Sequence, residues 1–215
     1  MQLLIKSKWL LTVLVITIPL FFYAAINFYQ SQFGKLPVFG KKEMNENKVL
    51  TQHQIQNFEF ENQDGKILSS SNLTNKIIVV NFFFTSCGSI CPNMMQHMKS
   101  VQQDFLNDHN VAFISFTVDP VRDDTARLKW YSVKNNLNTV NWDLLTGDKK
   151  EIYKLARKSF YLSADDGDGG ENDFIHSDQL VLIDKQKHIR GYYRGTDDGS
   201  IKQLKLDIKK LEHEN

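Results

Sequence analysis

The chain has two cysteines in 215 residues, Cys87 and Cys91, and both lie in the stretch FFFTSCGSICPNMM (Phe82 to Met95). Three residues separate them. On a loop entering a helix, positions i and i+4 bring both sulfurs to one face of a single turn. The nearby helix N-terminus favours thiolate over thiol. Such a pair has three uses: a redox disulfide, a pair of soft metal ligands, or a structural staple. The staple is the weakest, because a bridge closing so short a loop removes little unfolded-chain entropy. Other chemistry lacks its residues. There is no G-x-S-x-G, no phosphate-cradling glycine loop and no H-E-x-x-H.

The elements that must position the pair are legible as periodicities. KIIVVNFFF (Lys76 to Phe84) is an unbroken apolar run, as expected of a strand covered on both faces. After Pro92, which suits a first helical position, Met95, Met98, Val101 and Phe105 recur on one helical face. VAFISFTV (111–118) predicts a second buried strand. Thr125 to Asn136 reads as helix, WDLL as a short strand and Asp148 to Phe160 as helix. QLVLID and IRGYY read as two strands around a tight turn at Lys185-Gln186-Lys187. The last helix aligns Ile201, Leu204, Ile208 and Leu211. Upstream, FEFENQDGKIL predicts a hairpin turning at Asp64-Gly65. Alternating strands and helices imply an α/β domain with a parallel-containing sheet and an antiparallel edge.

Charge divides the chain. Residues 1–52 carry six lysines against two glutamates, whereas the remainder carries 20 basic and 23 acidic residues. A slightly acidic domain lacks the basic face that nucleic-acid binding needs, so no nucleic-acid partner is expected. Residues 9–34 are uncharged, and Trp9 to Ile26 is an apolar run of 18 residues. A hydrocarbon core of roughly 30 Å needs about 20 apolar residues as a helix. Trp9, Tyr23 and Tyr29 suit the two interfaces, and lipid-embedded helices tolerate Pro19. A cleaved signal peptide would have a shorter apolar region and a better small-x-small site than Tyr23-Ala24-Ala25. The expected organisation is therefore a transmembrane anchor over 1–29, a polar tether over 30–52 and a globular domain over 53–215.

The order strand, cysteine pair, helix, strand, helix, strand, helix, hairpin, helix is that of thioredoxin-like domains, and the motifs narrow it. TSCGSICP resembles the C-x-x-x-C-P motif of the Sco (SenC) family of copper-handling proteins. TVDPVRDD (117–124) is similar to that family's V-D-P-x-x-D segment, and DFIHSDQLVLID (173–184) to its His-Ser/Thr segment before the hairpin. Two departures stand out: Gly88-Ser89 replace the usual Pro-Asp, and the hairpin turn lacks the usual Gly. The resemblance implies a membrane-anchored copper chaperone that assists assembly of the copper centre of cytochrome c oxidase. Its partner would be a copper-carrying oxidase subunit or another copper chaperone. Its domain would face the periplasm of a bacterial inner membrane, since no Arg-rich transit segment precedes the span. Under this resemblance His176 joins Cys87 and Cys91 as a copper ligand. Two thiolates suit Cu(I), and an imidazole makes the site tolerable to Cu(II). His176 immediately precedes a predicted strand, where thioredoxin-like enzymes normally carry a cis-proline facing the cysteines. The prolines here are 19, 37, 92 and 120, so an imidazole can take that place.

Competing readings remain. One is a membrane-tethered thiol–disulfide oxidoreductase using Cys87 and Cys91 to reduce an oxidase subunit; a weaker one is a thiol peroxidase. Met94, Met95 and Met98 are soft donors, but their helical spacing assigns them to the core. His97 is read as a surface-packing residue. Asp119 is either an orienting residue behind the ligands or plain turn chemistry, with Asp123 or Asp124 capping the next helix. DDGDGGEND (165–173) fails the calcium-loop spacing, because Gly170 falls where a ligand should be. It is read as a loop leading to His176.

Overall fold

In the computed structural model, residues 9, 13–26, 34–44, 50–162 and 177–214 are described. The chain separates into two compact units, one ending at Lys35 and one running from Leu36 to His213. In the first, residues 13–26 form helix α1. Its 14 residues would rise about 21 Å, and among the described residues no helix is long and apolar enough to cross a membrane. The expected span from Trp9 also includes residues 10–12, outside the described set.

The second unit is an α/β domain. β1 (Lys42–Met44) and β2 (Leu50–Gln52) form a small antiparallel pair. The main sheet contains β3 (Glu59–Asn62), β4 (Ile67–Ser69), β5 (Ile77–Phe83), β6 (Val111–Thr117), β7 (Trp142–Thr146), β8 (Gln179–Ile183) and β9 (Ile189–Arg194), in the order β4-β3-β7-β6-β5-β8-β9. β5, β6 and β7 are parallel, while an antiparallel hairpin flanks them on each side. The helices are α2 (Ile90–Asp104), α3 (Thr125–Lys134), α4 (Lys149–Lys154) and α5 (Asp198–His213).

Why β5 and β6 are continuous apolar runs is now visible: both are buried at every position. Alternate residues feed two cores. Ile77, Val79 and Phe83 pack with Met94, Met98, Leu128, Leu204 and Ile208 from α2, α3 and α5. Ile78, Val80 and Phe82 pack on the other face with Ile152 and Tyr153 of α4 and with Phe160. Each such side chain contributes about 1.5–3 kcal/mol by leaving water. This two-sided burial fixes the strands, and so fixes where the loop after β5 emerges.

Local chemistry accounts for the turns. At Asp64-Gly65, Gly65 takes φ +70° and Asn62 Oδ1 accepts from the Asp64 and Lys66 amides. The β8–β9 turn manages without glycine. Lys187 adopts φ +66°, and Asp184 Oδ1 accepts from the Gln186 and His188 amides to hold the turn.

Three expectations change. Part of the stretch read as a tether is structured: Phe39 bridges Ile189, and the Arg190 guanidinium donates to the Leu36 and Pro37 carbonyls. Pro92 is the third helical residue rather than the first, since α2 begins at Ile90. It remains tolerated there because the first four N–H groups of a helix have no intrahelical acceptor. The helix expected from Asp148 to Phe160 ends as α-helix at Lys154 and continues as a π-turn over Leu155–Ser159. In that wider turn Phe160 N donates to Leu155 O, and Ser159 O contacts His53 Nε2 while Ser159 Oγ accepts from Gln56 N.

Candidate metal and thiol site

Cys87 and Cys91 sit where β5 hands the chain to α2. Both are unbridged; Cys87 is partly exposed and Cys91 is 3% exposed. The pair is therefore asymmetric, which the sequence did not foretell. Cys91 lies on the apolar face of α2 with Met94, Met95 and Met98, all in the core as expected. Burial, then the hydrogen bond with Cys87, pushes its thiol up to about 12. Cys87 goes the other way. Burial raises it, but hydrogen bonds from the Cys91 thiol and from the Ser89 and Cys91 amides outweigh that and lower it. The expectation of a helix N-terminus favouring thiolate thus holds for Cys87 and fails for Cys91, where desolvation wins. At the helix start Ser89 makes no side-chain cap, and the first turn holds no acidic residue.

The loop bearing the cysteines is tied down from behind. Asp123, 1% exposed, accepts from Thr85 N at 2.9 Å, from Thr85 Oγ1 at 2.6 Å and from Thr117 Oγ1 at 2.6 Å. Arg127 Nε donates to Thr85 Oγ1 at 2.9 Å. Asp123 therefore holds Thr85, two residues before Cys87, against the end of β6. Sequence reasoning weighed Asp119 for an orienting role and missed Asp123. The available signal was the final Asp of the V-D-P-x-x-D segment, which is Asp123. Asp119 makes a turn instead: its carbonyl accepts from Arg122 N and Asp123 N, and its amide donates to Thr117 Oγ1. Asp124 caps α3 by accepting from Arg127 N.

Tyr131 of α3 packs beside the pair. Its phenol is pushed up to about 12, by burial first and then by Cys91 and Cys87. His97 joins α2 to the start of α5, with Nδ1 2.8 Å from Gly195 O and Nε2 3.1 Å from Asp198. It packs away from the cysteines, consistent with the sequence reading.

His176 and the acidic loop 165–173 lie outside the described residues. The segment just after His176 is anchored closely. Gly195 N donates to Asp178 O at 2.6 Å, and Thr196 Oγ1 donates to Asp178 Oδ2 at 2.9 Å. A Cβ on Gly195 would come within 2.6 Å of Met94 Cγ and 2.8 Å of Asp178 O, so only glycine lets this loop approach α2 so closely. β8 begins three residues after His176 and runs antiparallel to β5. The start of β8 and the end of β5 are thus at the same end of the sheet, where the cysteine loop leaves.

Two sulfurs at the entrance of one helix, one whose thiol is lowered by its hydrogen bonds and one sheltered, suit either a soft metal ion or thiol–disulfide exchange. Among the described residues, no group of three or more His, Cys, Asp or Glu could hold a metal ion.

Comparison with known proteins gives one family. The SCO1/SenC profile matches residues 46–212. The SCO1 protein homolog of Bacillus subtilis (strain 168) is 33% identical over 159 residues, spanning 73% of this chain and 82% of that protein. BsSco, a member of the Sco family of cytochrome c oxidase assembly proteins with an identified disulfide switch, superposes with TM-score 0.66 at 31% identity, covering 76% of this chain and 95% of that one. ScoI of Bradyrhizobium japonicum, solved with copper bound, shares the fold at TM-score 0.58 and 23% identity over 73% of this chain and 98% of that one.

Proposed function

This chain belongs to the SCO1/SenC family, thioredoxin-like in fold, and from that premise we propose that it is a membrane-anchored copper chaperone for cytochrome c oxidase assembly. Copper is its cargo, bound through Cys87, Cys91 and His176. Residues 9–26 anchor it in a bacterial inner membrane, and the domain faces the periplasm. The observation that carries the reading is the asymmetric pair at the entrance of α2, Cys87 in the loop before it and Cys91 on its first turn. A lowered Cys87 and a sheltered Cys91 offer two sulfurs that suit Cu(I). The start of β8, three residues after His176 in sequence, lies at the same end of the sheet as the cysteine loop, which supports an imidazole as the third donor, useful chiefly to Cu(II). The partner is a copper-carrying oxidase subunit or another copper chaperone.

The same asymmetry favours a second reading. In a thiol–disulfide oxidoreductase, the Cys87 thiolate would attack a partner disulfide and release one partner thiolate. Cys91 would then attack the Cys87 sulfur, releasing the second thiolate and leaving a Cys87–Cys91 disulfide. One experiment separates the two: anaerobic Cu(I) titration of the reduced full chain against a competing chelator. Copper handling predicts one Cu(I) per chain, lost in Cys87→Ser and in Cys91→Ser. It also predicts that His176→Ala hurts Cu(II) more than Cu(I), and that binding weakens as pH falls, because ligands must shed protons first. If the reduced chain quickly reduces a partner disulfide yet binds Cu(I) no better than the double Cys→Ser variant, the oxidoreductase reading replaces it.

A further inference from the structure

Beside the cysteine loop, α3 presents an aromatic ring held between two cations. Arg127 Cζ lies 4.1 Å and Lys134 Nζ 4.6 Å from the Trp130 ring centroid. Trp130 is 45% exposed, and Val133 on the same helix is 66% exposed. The patch is continuous with the site, because Arg127 Nε bonds Thr85 Oγ1 two residues before Cys87 and Tyr131 packs by both sulfurs. No acidic residue occurs within α3. Lys129 is committed to Asp64 at 2.6 Å, but among the described residues no ion pair involves Arg127 or Lys134. The remainder of the chain beyond residue 52 is net acidic.

We propose that the Arg127–Trp130–Lys134 face of α3 is a docking surface for an acidic segment of the protein that receives the copper. The proposal rests on the copper-delivery reading and names the surface through which delivery occurs. An exposed indole flanked by cations has the composition of an interface anchor, since Trp and Arg dominate binding hot spots. A local basic patch on an acidic domain helps orient an acidic partner toward that face. The receiving segment then arrives next to Cys87, the more exposed of the two sulfurs.

The test uses the full chain, reduced and copper-free in detergent, and two labelled peptides of equal length. Neither contains cysteine, so that no disulfide forms; one is rich in Asp and Glu, the other in Lys. Fluorescence anisotropy at low ionic strength should show the acidic peptide binding at least about tenfold tighter, with the preference shrinking as salt rises. Trp130→Ala and Lys134→Glu should abolish the preference, while Lys202→Glu, on the exposed side of α5, should keep it. Indole NMR signals report folding of each variant, so lost preference in a folded variant supports the surface. Equal binding of both peptides, or loss of preference in Lys202→Glu as large as in Lys134→Glu, overturns it. Because this arm contains no copper, its failure leaves the Cu(I) titration standing. A failed titration with intact peptide preference removes the copper reading and leaves the surface to serve a thiol-exchange partner.

Discussion

Asp123→Ala tests whether the cysteine loop is positioned by a single buried carboxylate. The substitution removes three hydrogen bonds, two to Thr85 and one to Thr117, all 2.6–2.9 Å long. Hydrogen bonds to charged groups contribute about 1.5–3 kcal/mol each, though not additively, and stranded buried donors add a desolvation cost of about 1–3 kcal/mol. The Thr85 amide loses its acceptor, while the two hydroxyls can turn to other acceptors. A net loss of about 3–5 kcal/mol follows, a large share of a typical domain's stability. Asp123→Asn keeps the shape and one acceptor oxygen but turns a donor towards groups that themselves donate, so it should cost about 1–3 kcal/mol. The assay is chemical denaturation followed by far-UV circular dichroism, with stability read at constant m-value. Alkylation of Cys87 supplies the second readout: a loosened loop should slow it, because the amides of Ser89 and Cys91 no longer converge on that sulfur. Thr85→Val should reproduce part of both effects. If Asp123→Asn lies within about 0.5 kcal/mol of wild type, as an ordinary surface substitution would, and Cys87 reactivity is unchanged, the positioning argument is wrong.

At neutral pH iodoacetamide should modify Cys87 at least about tenfold faster than Cys91, because the thiolate is the nucleophile and burial withholds it at Cys91; peptide mass spectrometry reads the two sites, and equal rates would refute the asymmetry. Glu212 is pushed up to about 7 by burial and then by its hydrogen bond with Asp108, which is itself lowered by that bond. A raised carboxyl stabilises the fold fully below its unfolded value of about 4.5 and loses that contribution as pH rises through about 7. Asp108 acts oppositely, its contribution being present above its ordinary value of 3.8 and lost as pH falls through its lower folded value. Between about pH 4.5 and 7 the Glu212 contribution therefore falls with rising pH, and Glu212→Gln should flatten that part of the Tm profile; an unchanged profile counts against the shared proton. Met98→Ala, at a fully buried position of α2, should cost about 2–5 kcal/mol in denaturation and leave m unchanged, and a cost below about 1 kcal/mol would mean that α2 is not clamped by its methionine face.

The residues that local physics governs were legible in the sequence. An apolar run such as Ile77 to Phe83 has no exposed solution, so it had to be a strand covered on both faces. The 3.6-residue spacing of Met95, Met98 and Val101 placed α2, and the Asp64-Gly65 pair placed a turn, because each rests on neighbours within a few residues. The cysteine motif and the two ordered segments after it identified the family. The tertiary structure decided what depends on partners far along the chain. Cys87 and Cys91 have the same side chain and differ because α2 turns one sulfur into the core and leaves the other at the surface. Asp119 and Asp123 are equally plausible in sequence, yet only Asp123 reaches Thr85, 38 residues earlier. His97 meets Gly195 and His53 meets Ser159 across still longer separations. The α-helix expected to reach Phe160 widens into a π-turn where Ser159 bonds both His53 and Gln56. In each case the deciding energy is desolvation or a hydrogen bond between residues that only the folded domain brings within reach.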